Sequence, residues 1–492
     1  MNKYVLSIDA GTTGITILLL NKGGNVVHKE YSEFKQYYPR PGWVEHDPIE
    51  IWNLSQNLIN NILKVFSPDE LDSIGITNQR ETTVIWDKNS GKPVYNAIVW
   101  QCRRTSEYCD ILKSDGLSAL FLKKTGLVLD SYFSGTKIKW ILENVEKSRI
   151  NAENGNLLFG TIDTWLVWNL SGRKCHVTDY TNASRTLIYN INKKCWDKEL
   201  LNILNIPSCI LPVVKSSSCI YSETDKRLLG KSIPISGIAG DQQSALFGQN
   251  GFYPNNIKIT YGTGCFLLLN TGDKKIKSNS GMINTLSIDS DGNPAFALEG
   301  SVFIGGAVVQ WIRDELKIIN DVRETEKIAL SVNNTGGVYF VPAFTGLGAP
   351  YWNMDARGLI CGLTRGTSQN HIIRAALESI AFQVKDLIDG IQKDLNSDLV
   401  ELMVDGGVTQ NNFLMQFQAD ILGMKINKPK NIETTATGAG YLAGLATGYW
   451  ESSSELLKVR KVDKIFNSKM EEKERIEIWA GWKRAINRTN SL

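Results

Sequence analysis

The chain has 492 residues, too many for one hydrophobic core, and two or three large domains are expected. Its 42% apolar and 21% charged residues are ordinary for a soluble globular enzyme. With 54 basic against 51 acidic residues, a formal charge of +3 and no Lys/Arg run, nothing tracks a phosphate backbone, so a nucleic-acid partner is excluded. The eight cysteines include no C-x-x-C, which argues against zinc or a disulfide framework and for a reducing compartment.

Residues 5–8 read as a buried strand that enters Asp9-Ala-Gly-Thr-Thr-Gly14, followed by a second β-rich run over 15–20 and a turn at Gly23-Gly24-Asn25. The first strand follows the N-terminus without a signal peptide, and 15–20 is too short to span a bilayer, so a cytoplasmic protein with no membrane span is expected. An amphipathic helix over 49–65 is introduced by Asp47-Pro48, and a second helix is expected over 132–145. A strand over 235–239 leads into a helix starting near Asp241. The pattern of the N-terminus then returns: strand 257–260, turn Tyr261-Gly-Thr-Gly264, strand 265–269. A long helix over 370–396, a strand over 399–404 and a helix over 411–423 follow; the mixed-charge tail 458–488 reads as a solvated helical face. Alternating strands and helices predict α/β layers, and the repeated strand–Gly/Thr turn–strand unit predicts a duplicated domain. The turn-rich stretch 248–254 sets the expected division at 1–250 and 251–492.

The chemistry concentrates in a few segments. Gly75-Ile-Thr-Asn-Gln-Arg-Glu-Thr-Thr-Val84 brings Arg80 and Glu81 side by side after an apolar run. Alone, this is an ordinary surface ion pair; in context, a guanidinium fork beside a carboxylate suits a small molecule covered in hydroxyls. Asp9-Ala-Gly-Thr-Thr-Gly14 offers backbone N–H groups and hydroxyls to an anion, and Asp9 could hold Mg²⁺ through water. Repetition at Thr260-Tyr-Gly-Thr-Gly264 turns two routine hairpins into a phosphate clamp with one jaw per domain. Val404-Asp-Gly-Gly407 leaves room for a base or ribose but is not G-x-G-x-x-G, so a Rossmann reading is rejected. Gly230-Lys-Ser232 mimics a Walker A tail, but Asp225 stands where its first glycine must be. In Gly240-Asp-Gln-Gln-Ser244 the carboxylate of Asp241 is either a helix cap or a general base. His46 reads as a loop residue and the other histidines stand alone.

These segments resemble those of the FGGY carbohydrate kinases, specifically the members that phosphorylate glycerol. The resemblance runs from about Tyr4 to Trp482 and includes Pro41-Gly-Trp-Val-Glu-His-Asp-Pro48, Asn96-Ala-Ile-Val-Trp-Gln-Cys-Arg-Arg104, Tyr132-Phe-Ser-Gly-Thr-Lys137 and Pro342-Ala-Phe-Thr-Gly-Leu-Gly-Ala-Pro-Tyr-Trp352. It implies two actin/hexokinase-like, ribonuclease-H-like α/β domains around an interdomain cleft. It further implies ATP and Mg²⁺ as cofactors, transfer of a phosphoryl group to glycerol giving sn-glycerol 3-phosphate and ADP, and a homodimer or homotetramer. By matching position, glycerol contacts fall to Arg80, Glu81, Tyr132, Asp241 and Gln242, with Trp100 and Phe266 as walls and Asp241 as base. Nucleotide contacts fall to Thr12, Thr13, Gly14, Thr263, Gly306, Gln310, Gly407 and Asn411, with Asp9 near the metal.

The first turn departs from the family's usual Asp-Gln-Gly-Thr-Thr-Ser with a following Arg: Ala10, Gly14 and Thr16 stand at those positions. Some members are inhibited by fructose 1,6-bisphosphate at a loop using a Gly and an Arg; here Gly230 is present but Ser232 replaces the Arg. Others are activated by phosphorylation of a histidine in that loop, and none lies between His176 and His371. Insensitivity to both controls is expected. The alternatives are a family kinase for another polyol or sugar, and a nucleotide-binding regulatory scaffold weakened in catalysis.

Overall fold

The computed structural model describes residues 3–351, 353 and 355–491; Trp352, at the end of the segment from Pro342, lies outside them. Two mixed sheets carry the architecture. The first contains β1 (Tyr4–Ala10), β2 (Gly14–Leu20), β3 (Val26–Glu33), β4 (Leu71–Asn78), β5 (Ser218–Glu223) and β6 (Pro234–Gly240), in the order β5-β6-β4-β1-β2-β3. The second contains β7 (Ile257–Tyr261), β8 (Cys265–Gly272), β9 (Ile283–Ile288), β10 (Pro294–Val302), β11 (Glu401–Asp405), β12 (Lys425–Pro429) and β13 (Val462–Phe466), in the order β9-β10-β8-β7-β11-β12-β13.

The two sheets follow one plan. β1 runs antiparallel to β2 and parallel to β4; β7 runs antiparallel to β8 and parallel to β11. An antiparallel strand closes the parallel side of each sheet, β5 on β6 and β13 on β12. The duplication read from the two Gly/Thr hairpins is therefore a duplication of whole sheets.

Local chemistry explains the helices. In α1 (Pro48–Leu63) the Asp47 side chain accepts the Ile49 N–H at 2.8 Å and Pro48 fills the first turn. Ile51, Leu58, Ile59 and Ile62 form its buried stripe. The helix expected from residue 132 begins at α2 (Ser134–Asn144), because the Lys137 ammonium binds the Tyr132 carbonyl and keeps that residue outside. Five further helices matter below: α3 (Asp241–Gly248), α4 (Ala307–Asp314), α5 (Gln369–Leu395), α6 (Asn412–Leu422) and α7 (Thr434–Ala446).

The tail corrects the sequence reading. It is not one solvated helical face: β13 forms a sheet edge, and α8 (Glu472–Asn490) buries Trp482, Ala485 and Ile486. Four of the five β13 residues are exposed and two are Lys464 and Asp463, so its edge position hides any apolar alternation.

The halves are joined by close packing. α7 belongs to the second half yet lies on the first sheet, where a Cβ on Gly75 would come within 2.1 Å of the Ala439 carbonyl. At its crossing with α3, a Cβ on Gly438 would come within 1.9 Å of the Ser244 carbonyl. One apolar cluster contains residues of both halves, with Val5, Leu18 and Phe247 against Leu442, Trp450 and Leu456. Among the described residues, no helix is long and apolar enough to cross a membrane.

Candidate active site

β4 ends at Asn78 and delivers Gln79, Arg80 and Glu81 into a buried junction between the sheets. Glu81 adopts φ 60°, a left-handed conformation costing a non-glycine residue about 1–3 kcal/mol. It is held there because its carbonyl accepts from Ser134 Oγ at 2.9 Å and Thr83 Oγ1 at 3.1 Å. Adjacent in sequence, Arg80 and Glu81 bond different partners, which corrects the expected ion pair. Glu81 Oε1 accepts from Arg185 Nε at 2.5 Å. Arg80 donates to both oxygens of Glu299, at 2.6 and 3.2 Å, while its Nε lies 3.0 Å from Asp241 Oδ1.

Glu299 stands on β10 of the second sheet and also meets Arg185 at 3.0 Å, so it binds two arginines from the first half. Burial opposes its ionisation, but Arg185 and Arg80 outweigh burial and hold its carboxyl below the usual range. For Glu81 burial prevails over the pull of Arg185 and Arg80, and its carboxyl is raised. Lys258 on β7, buried and with its ammonium pKa lowered by that burial, donates to Gln242 Oε1 at 2.7 Å and Thr260 Oγ1 at 2.6 Å. Three cations (Arg80, Arg185, Lys258) thus stand among four carboxylates (Glu81, Glu299, Asp241 and Asp405, the last the leading opposite charge at Lys258), the condition for keeping charges out of water.

Asp241 opens α3 without capping it; the N-cap is Gly240. Oδ1 accepts the Gln242 N–H at 2.7 Å as well as Arg80 Nε, and no described residue bonds Oδ2. Aromatic rings form the adjacent wall: Trp100 stands perpendicular to Tyr132 at 5.4 Å and to Phe266 of β8 at 6.5 Å. Arg185 lies over the Tyr132 ring at 5.4 Å.

The first Gly/Thr turn adjoins this wall. Trp100 Nε1 donates to Thr12 Oγ1 at 3.0 Å, and Thr13 is exposed. Gly14 is dictated by β3: a Cβ there would lie 2.7 Å from the Ser32 carbonyl and 2.8 Å from the Tyr31 ring. Asp9 ends β1 behind the turn. Burial, then the charges of Asp241 and Glu433, push its carboxyl up to about 8 against the opposing pull of Lys29. A cation beside Asp9 would relieve this. Among the described residues no three His, Cys, Asp or Glu side chains form a metal cage, so further ligands would be water or substrate oxygens, as suits Mg²⁺.

The second turn is sealed to the start of α4. Gly262 O accepts from Gly306 N at 2.8 Å, and Thr263 O accepts from Gly305 N at 2.8 Å and Ala307 N at 3.1 Å. Gln310 lies exposed on α4. A Cβ on Gly306 would touch Val408 at 2.8 Å, which places the 407–411 turn alongside, and a Cβ on Gly407 would meet nothing within 4 Å. Asn411 caps α6: its Oδ1 accepts the Leu414 N–H at 3.0 Å, and its Nδ2 donates to Thr325 at 3.3 Å. Thr263, Gly306, Gly407 and Asn411 therefore gather in the second half, and the Arg80–Asp241 group with Thr12 in the first. Gln310 joins the former set through its backbone alone, its N–H donating to the Gly306 carbonyl at 3.2 Å.

Sequence reasoning missed Arg185, Glu299 and Lys258. For the last two a signal existed, a lone charge inside an apolar strand (Ala-Leu-Glu-Gly on β10, Ile-Lys-Ile on β7). It also misplaced His46, which is fully buried on a two-residue strand, Glu45–His46.

Two family descriptions cover the chain: the N-terminal domain of the FGGY carbohydrate kinases matches residues 4–248, and the C-terminal domain matches 257–447. The chain belongs to the FGGY family of carbohydrate kinases. Among relatives of this FGGY kinase, glycerol kinase 2 of Thermotoga maritima is 56% identical over 489 residues, 99% of each chain. Glycerol kinase of Carboxydothermus hydrogenoformans is 57% identical over 489 residues, 99% of this chain and 98% of the relative. The crystal structure of Plasmodium falciparum glycerol kinase with ADP superposes with a TM-score of 0.94 at 40% identity, covering 99% of this chain and 98% of that one. The fold is thus the two-domain, actin/hexokinase-like α/β fold expected from the resemblance.

Proposed function

We propose that this FGGY kinase phosphorylates glycerol with ATP, releasing sn-glycerol 3-phosphate and ADP. The observation that carries the reading is the Arg80 Nε–Asp241 Oδ1 pair at 3.0 Å, set beside the Trp100/Tyr132/Phe266 wall. A triol has hydroxyls on one edge and C–H groups on the other. Arg80, Glu81, Gln242 and Asp241 match the first, and the rings match the second. The full-length identity to glycerol kinases supports glycerol over a sugar.

Asp241 is the general base. Oδ1 is engaged by Arg80 and the Gln242 N–H, which aims Oδ2 at the ligand to accept the proton of the attacking hydroxyl. That hydroxyl oxygen bonds to the γ-phosphorus as the bond to the ADP oxygen breaks, a transfer that depends mainly on positioning and electrostatic stabilisation. Backbone N–H groups of the Thr12–Gly14 and Thr263–Gly264 turns clamp the phosphates of the nucleotide, one jaw from each half. The open space at Gly407 accommodates the nucleoside. Asp9 would hold Mg²⁺, which would supply charge neutralisation on the phosphates. Eight free cysteines support a cytoplasmic setting.

The deciding experiment is a coupled ADP-release assay over a panel of polyols and sugars. Highest kcat/KM for glycerol is expected; a higher value for another compound would reassign the substrate, and no transfer to any would leave a nucleotide-binding scaffold.

A further inference from the structure

Among the buried polar groups that the chemistry above does not use, His46 leads through two glutamines to the first Gly/Thr turn. His46 is paired in register with Ala97, packs edge-on against Phe34 at 4.9 Å, and is 0% exposed. Its Nε2 lies 2.6 Å from Gln36 Oε1, and its Nδ1 lies 3.2 Å from Gln79 Nε2. An amide oxygen only accepts and an amide nitrogen only donates, so the ring is neutral with its proton on Nε2. Burial pushes its pKa down to about 3, which keeps it neutral at any working pH.

Both glutamines pass the bond onward. Gln36 Nε2 donates to the Thr12 carbonyl at 2.9 Å, and Gln79 Nε2 donates to the Gly11 carbonyl at 3.0 Å. Gln79 Oε1 accepts from Thr82 Oγ1 at 2.9 Å, and Thr82 Oγ1 accepts the Trp100 N–H at 3.3 Å. Trp100 returns to Thr12 through its indole N–H at 3.0 Å. Six residues close a ring of hydrogen bonds: His46, Gln36, Thr12, Trp100, Thr82 and Gln79.

We propose that His46 is a positioning residue which, through Gln36 and Gln79, sets the first Gly/Thr turn for the phosphate and ties that turn to the Trp100 wall. The physical link is the planar peptide: orienting the carbonyls of Gly11 and Thr12 orients the N–H groups of Thr12 and Thr13 on the same peptide planes. An oxyanion donor acts by being aimed before the charge arrives, so a turn free to librate loses much of its effect. Gln79 makes the link economical, since the residue beside Arg80 also braces the phosphate turn. The assignment rests on the kinase reading for its catalytic consequence, but its effect on the turn stands apart from the identity of the acceptor.

The test uses His46→Leu, which keeps bulk and removes both hydrogen bonds, and Gln36→Ala, at a half-buried position, which removes only the Thr12 arm. ADP affinity is measured by calorimetry with Mg²⁺ and no polyol, and KM for ATP and for glycerol by the coupled assay. Each variant should weaken ADP and raise the ATP KM by about tenfold, with a smaller change in the glycerol KM. The double variant should be no worse than the poorer single one, because both break the same ring. His46→Gln, which can still donate and accept, should recover part of the loss. Wild-type ADP affinity in Gln36→Ala, or equal losses for ATP and glycerol in His46→Leu, would overturn the proposal. Failure of the kinase reading shows up separately, as no transfer by the wild-type protein.

Discussion

The two oxygens of Asp241 are chemically distinct, and that difference sets the expected behaviour of its variants. Oδ1 is fixed by Arg80 and the Gln242 N–H, interactions an Asn side chain oxygen can keep. Asp241→Asn keeps these hydrogen bonds and loses proton acceptance together with the carboxylate charge beside Arg80. Turnover should fall by roughly 10²–10⁴-fold while glycerol binding, read by calorimetry, stays near wild type. Near-normal turnover in that variant would remove the base role. Arg80, Glu81 and Asp241 were legible because each sits in a polar motif just after an apolar run, whereas Trp100 came only from the family resemblance. The partners of these charges were not legible. Arg185 lies 104 residues from Glu81, and Glu299 lies 219 from Arg80, so only the folded chain shows which carboxylate belongs to which guanidinium. The same holds for Gly14, which departs from the family's serine because β3 crosses too close for a side chain.

At the scale of elements, the Gly/Thr hairpins and the long helices announced themselves through repetition and periodicity. β13 did not, because an exposed edge strand with Lys and Asp on it lacks an apolar signature. The position of α7 across the first sheet was equally silent: the requirement for glycine at 75 comes from a helix contributed by the other half of the chain. Gly75→Ala would drive its Cβ to 2.1 Å from the Ala439 carbonyl and displace α7. A loss of about 1–3 kcal/mol is expected, read as a lower urea midpoint, with reduced turnover because α3 and its Asp241 pack on α7. An unchanged midpoint would mean the helix yields freely. The loop around Gly230 gives a second prediction. Lys231 there pairs with Asp69 at 3.0 Å on an exposed surface, and Ser232 offers no guanidinium. The loop's guanidinium, Arg227, is already taken up by Asp225, so a doubly charged phosphate ester gains no free bidentate partner and fructose 1,6-bisphosphate should leave activity unchanged in the coupled assay; strong sub-millimolar inhibition would show that Lys231 suffices.

Across the whole molecule, the proposed acceptor site belongs to neither half alone. Glu299 and Phe266 come from the second sheet, and Arg80, Arg185, Trp100 and Asp241 from the first half. Glu299 is the carboxylate that Arg80 and Arg185 share: without it they keep only Glu81, whose ionisation burial opposes, and the partly exposed Asp241. Glu299→Gln keeps the shape and removes the charge, which leaves Arg80 and Arg185 under-compensated in a dry junction. Two consequences separate a structural role from one in binding. Stability should fall, as expected when a buried pair is broken. Beyond that, the KM for glycerol should rise by about tenfold, because Arg80 loses its bidentate anchor, while ADP binding without glycerol stays near wild type. The proposed nucleotide contacts do not use Glu299, so any strengthening of ADP binding by glycerol in the wild-type enzyme should shrink in the variant. Calorimetric titration of ADP with and without saturating glycerol measures that coupling directly. If the variant loses affinity for ADP and glycerol alike, Glu299 is a structural tie; if only glycerol and the coupling suffer, it is the residue through which one half of the enzyme senses that the other has bound its substrate.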